Sequence, residues 1–217
     1  MTDLRRLGAS HLHTPKLCLG GNVFGWTADK ATSFAVLDAF VDAGGTLVDT
    51  ADVYSAWVPG HKGGESESVI GEWIKSSGKK VGIATKVGML PSAAGEKLAP
   101  GRIAEACDAS LQRLGVEQIA LYYAHQDDEA TPQEAYMEAF AKLVAAGKVA
   151  ALGASNFTPR GSSRPTTSRA PPVCRIFRFS NPNTIWSAGT SSKANCRIIA
   201  SNIISACCLI TGWPPAS

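Results

Sequence analysis

Asp49, Tyr54, Lys86 and His125 are side-chain types that bind and move protons, and each stands at or just after the end of a short apolar run. A tyrosine ordinarily loses its proton near ~10, so it serves as an acid near neutrality only where something stabilises the phenolate. The ammonium of Lys86 would do that, and Asp49 would hold the lysine in place and charged. His125 can hydrogen-bond a carbonyl oxygen or relay a proton. Ser155 and Asn156 offer a hydroxyl and an amide that could grip a planar carboxamide. Each also has an ordinary role available. Asp49 could cap a turn, Lys86 could be a solvated strand end, His125 a satisfied structural histidine, Tyr54 loop packing, and Ser155-Asn156 a turn. Four such groups at successive strand ends make coincidence a poor account.

The elements that must position them follow from the apolar pattern. Thr46 to Val48, Val81 to Thr85, Ile119 to Ala124 and Val149 to Gly153 read as buried strands, as does Lys16 to Leu19 before Gly20-Gly21. Four helices alternate with them. Their inward faces are Phe34, Leu37 and Val41; Val69, Ile70, Trp73 and Ile74; Ile103, Cys107, Leu111 and Leu114; and Tyr136, Phe140 and Leu143. Glycines at 44–45, 78, 115 and 147 supply the stops. Thr131, Pro132 and Glu134 form a capping signature for the fourth helix. The first dozen residues read as a hairpin across one end of the domain.

Asp49 to Lys86, Lys86 to His125 and His125 to Asn156 are separated by 37, 39 and 31 residues, one strand–helix unit each. A doubly wound sheet usually carries a G-x-G-x-x-G turn after its first strand, and Gly20 to Gly25 does not supply that spacing. A (β/α)8 TIM-type barrel gathers groups from many strand ends onto one face. Barrel is therefore the expected fold class, incomplete here, with about five strands and four helices legible.

The chain has 217 residues and a formal net charge of +3, which conceals a split. Residues 1–159 hold all 18 acids against 14 Lys and Arg, a net of −4; residues 160–217 hold seven basic residues and no acid, a net of +7. The basic residues are scattered among Ser, Pro and Thr, so neither nucleic acid nor a membrane is the expected partner. No apolar run follows Met1 to Arg6 as in a secretory signal, and 198–210 is too short and polar to span a bilayer. The six cysteines lack C-x-x-C spacing, which suits reduced thiols and a cytoplasmic location.

Asp49-Thr50-Ala51 with Tyr54, Gly64-Glu65-Ser66-Glu67, Thr85-Lys86, Leu121-Tyr122-Tyr123-Ala124-His125 and Gly153-Ala154-Ser155-Asn156-Phe157 resemble the aldo-keto reductases. The resemblance covers about residues 4–159. It implies a (β/α)8 barrel that reduces aldehydes or ketones, small-molecule carbonyls, with NADPH and without a metal ion. Tyr54 would be the general acid, tuned by Lys86 and Asp49, and His125 would orient the carbonyl. Ser155 and Asn156, with Asp49 nearby, would hold the nicotinamide end of the cofactor. Trp26 and Trp57 would wall the substrate pocket, although packing roles suit them equally.

Residues 160–217 depart from that pattern. By the resemblance, three more strands should follow, with a glutamine and an aromatic for the nicotinamide and a basic loop for the adenosine phosphate. The segment instead is acid-free and has no sustained period, and is expected to be disordered or poorly structured. Back-translated and read one base over, it can spell stretches that resemble the missing strands, so a frame slip near codon 160 is the expected cause. Two other readings remain: a non-catalytic nucleotide-binding member of the fold, and an inactive product of a frame-shifted gene.

Overall fold

The computed structural model describes residues 4–7 and 10–157. The expectations for residues 160–217 lie outside the described residues. Two short strands, β1 (Arg5–Arg6) and β2 (His13–Thr14), form the antiparallel hairpin expected at the start. Then come β3 (Leu19–Gly20), α1 (Lys30–Asp42), β4 (Leu47–Asp49), α2 (Glu65–Ser77), β5 (Gly82–Val87), α3 (Pro100–Leu114), β6 (Leu121–Ala124), α4 (Gln133–Ala145) and β7 (Leu152–Ala154).

The five strands β3 to β7 pair in parallel, in strictly sequential order. A doubly wound sheet reverses its order at a switch point. Among the described residues no reversal occurs, and each strand simply joins its predecessor, as in a barrel wall. Among the described residues the barrel is incomplete, with five parallel strands and four helices.

Alternation along the strands separates two faces. On one, Val48, Ile83, Val87, Tyr122, Ala124 and Leu152 pack beneath the helices against Leu37, Ile70, Trp73, Ile103, Leu114 and Phe140. On the other, Leu47, Ala84, Leu121 and Ala151 form a smaller cluster with Leu7 from the hairpin. Thr46 Oγ1 bonds Thr14 Oγ1 at 3.2 Å, tying the hairpin to the start of β4. Asp49 and Lys86 lie two residues beyond Leu47 and Ala84, so they project from the same inner face at its opposite end. The apolar hairpin end excludes water; the polar end is left for chemistry.

The helices end where the sequence places their stops. Gly44, Gly78, Gly115 and Gly147 all take positive φ, between 65° and 88°, where a side chain would be strained. The start of α4 differs from expectation. The Thr131 hydroxyl donates to Asp128 Oδ2 at 2.6 Å instead of capping the helix, and the cap position, Pro132, has no side-chain bond. Asp128 takes over the local backbone, accepting from the N–H groups of Ala130 and Thr131. An acid three residues upstream is the stronger acceptor and wins the hydroxyl.

Candidate active site

Asp49 is the last residue of β4, and its register partner in β5 is Ala84, two residues before Lys86. The strands thereby place carboxylate and ammonium within reach. Lys86 Nζ lies 2.5 Å from Asp49 Oδ2, 2.9 Å from the Tyr54 hydroxyl and 2.8 Å from the Thr50 carbonyl oxygen. The Tyr54 hydroxyl in turn donates to Asp49 Oδ2 over 3.4 Å, a long bond that is readily surrendered. Tyr54 sits on the turn that follows β4, held by its own N–H to the Ala51 carbonyl at 3.2 Å.

His125 follows β6 and is buried, with its backbone N–H on the Val87 carbonyl. Its ring meets the Tyr54 ring edge to face, centroids 6.0 Å apart, and its Nδ1 is buried without a partner. Asn156, exposed and at φ 54°, donates from Nδ2 to the His125 carbonyl at 2.9 Å. Ser155 donates its N–H to the Ala124 carbonyl. Strand ends β4, β5, β6 and β7 thus bring Asp49, Lys86, His125 and Ser155-Asn156 to one side of the sheet. Trp57 lies 6.2 Å from Tyr54 and 5.6 Å from Trp26, both contacts edge to face. The two tryptophans are 43% and 42% exposed, which rules out a core role for either.

The electrostatics qualify the expectation for the acid. Burial raises the Tyr54 pKa above its ordinary value; Lys86 opposes this, and Asp49 adds to it. The ammonium therefore offsets part of the desolvation rather than producing an unusually acidic phenol. Burial also works against the Lys86 ammonium, but Asp49 and Tyr54 outweigh it and hold lysine above its usual range. For His125, burial and then the Lys86 charge push the imidazole down to about 3. It is neutral at physiological pH. A neutral ring can donate one hydrogen bond to a carbonyl, but it has no spare proton to relay as an acid.

Sequence reasoning passed over two residues beside this cluster. Asp52 is 1% exposed and pairs with Arg102 of α3, Oδ2 to Nη2 at 2.7 Å. Behind them Glu67 is buried between Thr85 Oγ1 at 2.5 Å and Arg113 at 2.6 Å. Asp52 was visible as an acid two residues before the tyrosine. Nothing local pointed to Arg102, fifty positions on. Among the described residues no group of His, Cys, Asp and Glu could hold a metal ion, and no helix is long and apolar enough to cross a membrane.

A family model described as "Aldo/keto reductase family" matches residues 16–185, more than half of the chain. The chain belongs to the aldo/keto reductase family. It is 37% identical over 160 residues to the uncharacterized oxidoreductase YrpG of Bacillus subtilis (strain 168), covering 70% of this chain and 48% of that protein. Over 144 residues it is 35% identical to the aldo-keto reductase yakc [NADP(+)] of Schizosaccharomyces pombe, covering 64% of this chain and 40% of the relative. An uncharacterized 11.2 kDa protein from the crtE 3' region of Pseudescherichia vulneris is 53% identical over 88 residues, 39% of this chain and 85% of that one. The chain thus spans half or less of the two longer relatives. Membership makes the fold class a (β/α)8 barrel, as expected, incomplete among the described residues.

Proposed function

We propose that this site serves NADPH-dependent reduction of aldehyde and ketone carbonyls in small molecules. The observation that carries the reading is the triangle of Tyr54, Lys86 and Asp49, with a phenol 2.9 Å from a buried ammonium. The name of the yeast relative, which includes NADP(+), supports the choice of cofactor. The exposed carboxamide of Asn156, beside Ser155 and bonded to the His125 carbonyl, fits a planar carboxamide at this place. Bound there, NADPH would supply a hydride to the carbonyl carbon.

The residues of the chain supply the rest. His125, neutral, donates a hydrogen bond to the carbonyl oxygen and fixes its direction. Tyr54 releases its bond to Asp49 and passes its proton to that oxygen as the carbon–oxygen double bond becomes single. The phenolate left behind faces Lys86, whose charge stabilises it until solvent returns a proton. Asp49 keeps Lys86 charged and aimed. Trp57 and Trp26 wall one side of the opening.

This chain as written is proposed to be impaired. Residues 160–217 contain no Asp or Glu, and no Gln to supply the glutamine expected from the later strands of the family. NADPH oxidation with a panel of small aldehydes and ketones tests both halves. Turnover should be negligible in this chain, present when residues after Pro159 are restored in the neighbouring reading frame, and lost again in the restored chain with Tyr54→Phe. A restored chain that binds NADPH yet oxidises none favours the non-catalytic reading. Tight, stoichiometric NADPH binding by the chain as written would end the impairment proposal.

A further inference from the structure

We propose that Asp52 and Arg102 form a positioning clamp that sets where the proton donor Tyr54 stands relative to Lys86. The inference rests on the reading of Tyr54 as the acid, but the clamp itself is a matter of geometry. Tyr54 belongs to no helix or strand; it lies in the irregular stretch between β4 and α2. Such a segment needs outside anchors to hold a side chain to a fraction of an ångström.

Asp52 supplies two. Its backbone N–H donates to the carbonyl of Lys86 at 3.2 Å, binding the turn to the very residue whose ammonium meets the phenol. Its carboxylate takes Arg102 Nη2 at 2.7 Å. Arg102 then spends its Nε on the Leu90 carbonyl, also at 2.7 Å. One guanidinium thus ties the acid's turn, α3 and the segment after β5 together at a single point. Both side chains are nearly fully buried, at 1% and 6% exposure, and Asp52 Oδ1 has no partner. A buried ion pair with an orphaned oxygen is a poor source of stability compared with apolar residues of the same size. Its use here is to fix a register. Neither residue touches the expected place of the carbonyl, so both act through Tyr54.

The test uses the full chain and the near-isosteric variant Asp52→Asn, with Arg102→Gln and the double variant beside it. Amide hydrogen exchange and nitration of the four tyrosines, mapped by mass spectrometry, are the readouts. The clamp predicts a several-fold rise in exchange confined to residues 50–64, and a several-fold rise in nitration at Tyr54 with Tyr122 and Tyr136 unchanged. Arg102→Gln should reproduce the effect, and the double variant should add nothing to it. Unchanged exchange and nitration would overturn the proposal. So would a rise spread over β5, β6 and the buried tyrosines, which is what a merely structural pair would give, or additive effects in the double variant. None of these readouts depends on turnover, so absence of NADPH oxidation would count against the reductase reading and leave the clamp to be judged separately.

Discussion

At the scale of single residues, the site is a contest between burial and charge. Tyr54 is made a weaker acid by desolvation and partly rescued by Lys86, so removal of either should be severe. In a restored, active chain, Tyr54→Phe should cost about 10²–10⁴ in kcat with little change in cofactor affinity. Buried groups also set the pH dependence of folding. Unfolded His125 takes a proton below about 6.5, whereas folded His125 refuses it until about 3, so acidification through that window destabilises the fold. Asp52 acts in the opposite sense. Burial, against the pull of Arg102, raises it from 3.8 to about 7, so its contribution is complete below 3.8 and is lost as pH rises through about 7. The two windows overlap and largely cancel. Denaturant midpoints measured from pH 4 to 7 should therefore diverge among variants. Relative to the parent, Asp52→Asn should become more acid-sensitive and His125→Gln less so, each uncompensated pH unit being worth up to about 1.4 kcal/mol.

At the scale of elements, apolar period located the strands and helices because burial on one or both faces writes itself into the sequence. Boundaries were less legible, since the parallel ladder covers only part of each apolar run. Lys16 to Leu19 read as a strand before a glycine turn, yet the ladder covers only Leu19–Gly20, and β3 has a single described neighbour. The capping signature at Thr131 failed for a local reason, the nearby Asp128 carboxylate. Asp49, Lys86 and His125 were legible because each ends an apolar run. The Asp52–Arg102 pair was not, because contact across fifty residues leaves no period. Helix packing carries its own test. A Cβ on Gly71 of α2 would stand 2.1 Å from the Arg113 carbonyl oxygen of α3, so the two helices can approach only over a bare Cα. Gly71→Ala should therefore destabilise the fold by about 1–3 kcal/mol or more, read from chemical denaturation, although alanine is the better helix former.

At the scale of the whole molecule, sequential parallel order and clustering of polar groups at one end of the strands identify a barrel wall with its working face. An edge strand in such a wall exposes unpaired backbone groups unless another strand covers it. With the acid-free composition of residues 160–217, this leads to the expectation that the chain as written is poorly soluble beside a frame-restored version, measured as the soluble fraction on expression. Sequencing the gene across codon 160 decides whether the neighbouring frame spells the family. The central claim concerns the phenol and its cation, and is reached most directly by spectrophotometric titration of tyrosinate, with Tyr54→Phe subtracted to isolate Tyr54. The account predicts that Tyr54 titrates above an ordinary tyrosine and moves higher still in Lys86→Met, where burial remains and the opposing charge is gone. An unchanged Tyr54 titration in Lys86→Met would contradict it.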